Sequence, residues 1–249
     1  GLQVDGVSLD LHDARFVKLA PFAIHISNSP DFAIRRTEVR SWDNTFTAWQ
    51  TDNGVSVHDS HGLIEDFYGG PNIDHIIDVV NSDLVVRRAD LEGSSIGYAD
   101  GIRSINTRLT VEDCEIHRAL FPPRSSASQH LSDGGIEIIF SLEQPETYQV
   151  RIEGNTIRGW RDGLYIYADQ HDFLVQNNDF ESNGNPVYST DREHAIRLEP
   201  CGGPGCPGAN TVVIDLGGGA LGGGGGNAFG EDERFTVHNT MTVDVPAYH

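Results

Sequence analysis

The sequence predicts an all-β protein made by repeating one small unit, and three observations carry that reading. Apolar residues recur at every second position, the period of a strand with one buried face, rather than at the 3.6 period of a helix. Two short strand patterns alternate along the chain, the first beginning again after 31, 22, 25, 34, 28 and 32 residues. Glycine accounts for 28 of the 249 residues, which favours tight turns over long helices.

The first pattern, strand A, reads IHIS from Ile24, VSVH from Val55, IDVV from Ile77, IRSI from Ile102, IEII from Ile136, LYIY from Leu164 and IRLE from Ile196. Strand B follows it as FAIRRTEVR from Phe32, LVVRRADLE from Leu84, LTVEDCEIH from Leu109, VRIEGNTIR from Val150 and FLVQNNDFE from Phe173. All five have apolar residues at positions 1, 3 and 8 and a small or amide residue at position 6. TVVIDLGG from Thr211 is a looser sixth copy.

Strand, corner, strand and longer loop, repeated in about seven coils, resembles a single right-handed parallel β-helix of the pectate-lyase-like superfamily, over residues 1–216. The resemblance implies coils stacked in register, with like residues above like. Position 6 then stacks Asn155 on Asn178, an internal amide ladder that satisfies turn carbonyls. Residues 217–249 belong to the same domain as a glycine-rich terminal coil and an end strand; the wording DLGGGALG…GNAF resembles the last coils of bacterial surface proteins with β-helix repeats. The glycine run lacks the Lys-Ser/Thr of a P-loop and the strand-then-helix context of a dinucleotide fingerprint.

Net charge is −20, from 37 acidic and 17 basic residues, and Lys18 is the one lysine. A field of that sign repels phosphate backbones, so nucleic acid is a poor partner. No apolar run reaches the 18 residues of a membrane span. The opening GLQVDGVSLD has no initiator Met and no signal-like start, and MTVDVPAYH ends in strand alternation, so the expectation is a piece of a longer precursor. Cys201 and Cys206, in the loop EPCGGPGCPGAN, are candidates for a small disulfide ring, which would favour a secreted, periplasmic or cell-surface location. Cys114 falls on an inward strand position and reads as a buried thiol.

Stacking turns distant positions into columns. The first outward column of strand A runs His25, Ser56, Asp78, Arg103, Glu137, Tyr165, Arg197, and the second Ser27, His58, Val80, Ile105, Ile139, Tyr167, Glu199. The loops returning to strand A carry Trp42, Trp49, Phe67, Tyr68, Tyr98, Phe121, Trp160 and Tyr188. Most end in an acid: Asp52, Asp74, Asp100, Asp133, Asp162 or Glu193. The expected result is a shallow trough with aromatic rings on one rim and carboxylates along its edge, a surface suited to polysaccharide; the resemblance implies a site on this same face. Asp78, Arg103, Glu137, Tyr165 and Arg197 are the candidate catalytic residues, with His58, Tyr167, Glu199, Trp49, Tyr98 and Trp160 as candidate sugar contacts.

The expected function is recognition of polysaccharide along strand A by an extracellular or cell-envelope protein, with catalysis open among three classes. A glycoside hydrolase needs two carboxyls, and Asp78 and Glu137, two coils apart, would lie about 9.6 Å from each other, at the inverting limit. Arg103 between them is expected to lower both pKa values, the wrong direction for a general acid. A uronate lyase or epimerase would use Arg103 or Arg197 as base or carboxylate clamp, with Tyr165 or His58 moving protons and calcium on Asp100, Asp133 and Asp162 as a candidate cation. The third class is a non-catalytic glycan-binding or adhesive surface subunit, alone or in a larger assembly. Asp-Gly in YADGIR, SDGGIE and RDGLY also suits turns, and Asp78, Arg103 and Glu137 also suit an ion-pair ladder.

Overall fold

A computed structural model describes residues 1–17, 22–40, 53–70, 75–93, 100–118, 134–140, 149–168, 170–181, 183, 194–200, 211–219, 221–230, 237–239 and 241. They form a right-handed parallel β-helix with three faces. The first sheet stacks nine strands: Leu2–Asp5, Phe22–Ser27, Asn53–His58, His75–Val80, Asp100–Ile105, Gly134–Ile139, Asp162–Tyr167, His194–Glu199 and Val237–Asn239. The second and third sheets hold eight each, from Leu9–His12 to Thr211–Asp215 and from Arg15–Val17 to Ala228–Phe229. The seven predicted strand A copies lie in the first sheet, with one strand before them and one after.

Each strand B copy proves to be two strands with a corner between them. Phe32–Arg35 lies in the second sheet and Glu38–Arg40 in the third. At position 5 of the pattern the backbone turns through positive φ, at Arg36, Arg88, Asp113, Gly154 and Asn177. The left-handed conformation is unfavourable for Arg, but the corner N–H groups continue the ladder between coils, from Arg36 N to Glu65 O at 3.1 Å and from Arg88 N to Glu112 O at 3.0 Å. Position 6 then points inward and position 8 enters the third sheet.

Two further copies depart from the strand B pattern. Leu9–His12 and Arg15–Val17 supply the first coil, and His61–Glu65 with Tyr68–Gly69 the third. Gly62 occupies the apolar position of that copy because the Phe32 ring fills the space; a Cβ on Gly62 would come within 2.3 Å of it. The loose copy at Thr211 is also shifted, since Ile214 is the residue that stands opposite Phe173.

The core is a column of aliphatic layers, including Ile24, Val55, Ile77, Ile102, Ile136, Leu164 and Ile196 from the first sheet. Polar ladders line both corners. At the second, Asn155 donates to Val111 O and to Asn178 Oδ1, and accepts from Cys114 N; Asn178 repeats the arrangement with Ile152 O and Asn227. The amide ladder expected from Asn155 and Asn178 is therefore present, extended by Asn227. At the first corner an unforeseen hydroxyl ladder runs Ser29, Ser60, Ser82, Thr107, each backbone N–H donating to the next hydroxyl oxygen at 2.9, 3.1 and 3.2 Å. Cys114 is buried, and burial pushes its thiol up to about 12.

The glycine-rich segment winds around its own carboxylate. Asp215 accepts from Gly217, Gly219, Leu221 and Gly223 N–H at 2.9–3.1 Å. The cradle is filled from within, which accounts for the glycines without an external anion.

Candidate functional site

Register confirms the first outward column: Gln3, His25, Ser56, Asp78, Arg103, Glu137, Tyr165, Arg197 and His238 pair strand to strand in that order. The second column also holds, from Ser27 and His58 through Ile139 and Tyr167 to Glu199. His58 is separated from Tyr167 by Val80, Ile105 and Ile139, and stands on the strand next to Asp78, its Nε2 3.2 Å from Ser56 Oγ.

A third column joins these two. Strict alternation would turn Asp100 inward with Ile102. Instead Gly101 and Ile102 both face the core, a Cβ on Gly101 falling 2.6 Å from buried Ile116, and Asp100 comes back to the side of Arg103. The same step occurs in the neighbouring coils, producing the column His75, Asp100, Gly134, Asp162, His194. Asp100-Gly101 and Asp162-Gly163 are thus strand starts and not turns: Gly101 and Gly163 have no positive φ. These glycines permit close stacking, since a Cβ on Gly101 would lie 2.5 Å from Gly135 O and one on Gly163 2.7 Å from Ala195 O.

The three columns bring a dense polar network together. Asp100 accepts from Gly134 N at 2.7 Å and lies 3.0 Å from His75 Nδ1. Arg103 Nη1 is 3.1 Å from His75 Nε2 and 3.9 Å from Asp78, which accepts from Asn53 Nδ2. On the other side Asp162 pairs with His194 at 3.0 Å and with Arg197 at 3.4 Å. Arg197 also donates to Glu199 and lies over the Tyr165 ring, whose hydroxyl donates to Glu199 at 2.8 Å. Burial opposes the charge on Arg197, but the Glu199 hydrogen bond and the Asp162 charge outweigh it and hold its pKa above the ordinary value. That disfavours Arg197 as a base. Burial, then the Glu199 bond, raise the Tyr165 pKa.

Glu137 stands at the centre of this network. It is 5% exposed. Among the described residues its carboxyl accepts no hydrogen bond, and Arg103 Nε is its closest ion partner at 4.0 Å. Burial raises its pKa to about 7, helped by the charge of Asp100, while Arg103 and His75 pull the other way. Arg103 lowers this carboxyl as expected, but at 4.0 Å its charge is outweighed by the desolvation of the acid, so the net direction is the reverse.

Three of the aromatics expected on the rim lie elsewhere. Trp160 is fully buried, its Nε1 donating to Ile116 O, and its ring closes over Gly93. Phe67 is core too. Tyr68 lies in the third sheet, bonded to Glu92 and covered by Arg40. Trp42, Trp49, Tyr98, Phe121, Tyr188, Asp133, Cys201 and Cys206 lie outside the described residues. Asp100 and Asp162 are two strands apart, each in its own His pair. Among the described residues no group of three or more His, Cys, Asp and Glu could hold a metal ion, and no helix is long and apolar enough to cross a membrane.

The family model described as right handed beta helix region matches residues 1–201, and the chain belongs to that family. No curated protein and no solved structure matches it.

Proposed function

We propose that this right-handed β-helix protein acts outside the cell or in its envelope, binding polysaccharide along the outer face of the first sheet and hydrolysing it with Glu137 as general acid. The observation that carries the reading is a buried carboxyl without a hydrogen-bond partner among the described residues, its pKa raised to about 7, in the middle of a polar column. Such a group is protonated at neutral pH in a large fraction of molecules and has a proton to give.

In the proposed reaction Glu137 protonates the glycosidic oxygen as its bond to the anomeric carbon breaks. Asp78, two strands away at about 9.6 Å, takes a proton from the water that forms the new bond on the opposite face, near the upper end of inverting separations. Arg103 lies between the two carboxyls, 3.9 Å from Asp78 and 4.0 Å from Glu137. Tyr165, Arg197 and Glu199 extend the polar surface along the chain of the substrate.

The test is a polysaccharide panel read by new reducing ends and by the ultraviolet absorbance of unsaturated uronates, with Glu137→Gln as control. Reducing ends without absorbance, lost in the variant, are the expected result. Absorbance would indicate elimination. Binding without any product would leave a recognition surface and remove catalysis.

A further inference from the structure

Arg103 is flanked by two carboxyls of its own column and hydrogen-bonds to neither. Asp78 Oδ1 lies 3.9 Å from its Nη1 and Glu137 Oε2 4.0 Å from its Nε, both beyond hydrogen-bond range. A guanidinium ordinarily closes on a carboxylate through short charge-assisted bonds, as Arg36 does on Asp13 at the second corner. Here Nη1 goes instead to His75 Nε2 in the third column, at 3.1 Å. Arginine can only donate, so His75 Nε2 is the acceptor and the imidazole is neutral, with its proton on Nδ1. That nitrogen is 3.0 Å from Asp100 Oδ2. Asp100 is fully buried and is fixed by Gly134 N–H, which donates to its other oxygen at 2.7 Å.

We infer that His75, oriented by Asp100, is a positioning residue that holds Arg103 off Glu137 and so lets that acid keep its proton. This deepens the proposed function and rests on it for the catalytic consequence. Glu137 is faced by Arg103 and Asp100 from the strand before it, by Tyr165 and Asp162 from the strand after it, and by His75 from two strands before. Of these only Arg103 is always cationic, so the place of its guanidinium decides how far the acid stays neutral. Released from His75, that group has Asp78 and Glu137 as its nearest acceptors, and its five N–H donors suffice for both. A bond to Glu137 would stabilise the ionised acid. The sign is diagnostic. A charged His75 would depress Glu137 directly, so its loss would raise the acid. A neutral His75 acting through Arg103 predicts that its loss lowers it.

The experiment titrates the Glu137 carboxyl without substrate, by NMR of protein labelled at the glutamate carboxyl carbons, the resonance assigned by its absence in Glu137→Gln. The native protein is compared with His75→Phe, which keeps a ring but no acceptor, and with His75→Gln, which keeps an acceptor. A third variant combines His75→Phe with Arg103→Leu. Circular dichroism verifies that each folds. The expected result is a pKa lower by about one pH unit or more in His75→Phe. It stays near the native value with glutamine, and returns to that value or above it once Arg103 is removed. In His75→Phe the pH above which cleavage declines moves down with it. An unchanged pKa, a rise, or a fall that persists without Arg103 overturns the positioning role and leaves the proposed function standing. The expected titration in a protein that cleaves no polysaccharide sustains the placement of Arg103 and removes the proposed function. If phenylalanine prevents folding, His75→Ala decides by the same criterion.

Discussion

Two strips of charge run along the coil under opposite rules. At the second corner, in solvent, Arg36 grips Asp13 with two hydrogen bonds of 2.7 and 2.8 Å, and Arg88 bridges Asp66 and Glu65. The hydrogen bond from Arg36 holds the Asp13 carboxyl well below its usual range, and water screens what is left. On the first sheet the same residue types are buried, and the central carboxyl has no such grip. The difference teaches where to look for chemistry: a saturated ladder can only stabilise, whereas an unsaturated buried acid is held in a state that a substrate can change.

The comparison can be broken in order of size. The largest expected effect is on turnover: Glu137→Gln should lower kcat by about 10²–10⁴-fold, the usual worth of a general acid, measured by reducing ends. Next comes the internal ladder. Asn178→Leu would leave Asn155 N–H and Ile152 C=O without the Asn178 amide, at about 1–3 kcal/mol each. A fall in Tm of roughly 4–24 °C is expected by calorimetry.

Smaller is the pH dependence of stability. The folded pKa of Glu137, about 7, exceeds its ordinary 4.5, so the folded state binds this proton more tightly. Its contribution is fully present below pH 4.5 and lost as pH rises through about 7. Glu137→Gln should therefore raise Tm more at pH 8 than at pH 5; equal changes would show an ordinary carboxyl. The same proton predicts that native activity declines as pH rises above about 7. The smallest effect belongs to the exposed strip, where Arg36→Ala should leave Tm without a resolvable change. A loss there comparable to that of Asn178→Leu would erase the distinction between the two strips.

Much of this was legible in the residues. Period-two alternation located the seven strand A copies, and equal spacing of their apolar positions placed Asp78, Arg103, Glu137 and Tyr165 in one column. The corner inside strand B was harder to see, because arginine at position 5 does not announce a left-handed turn as glycine or asparagine would. The hydroxyl ladder had a signal that went unused: Asn28-Ser29, Asp59-Ser60, Asn81-Ser82 and Asn106-Thr107 repeat one dipeptide at one place in the coil. The Gly62 copy had none, since the ring of Phe32 in the coil before fills its apolar position.

By itself the sequence determined the β-helix, the register of its first sheet and the order of charges along it, because strand periodicity and in-register stacking act on residue type alone. Only the tertiary structure decided which of those charges matter. Trp160 went to the core rather than the rim, Asp100 and Asp162 turned back beside Arg103 and Arg197, and Glu137 became the acid with a raised pKa. Burial, distance and the number of hydrogen bonds left for each carboxyl are properties of the packed molecule, and they set its protonation.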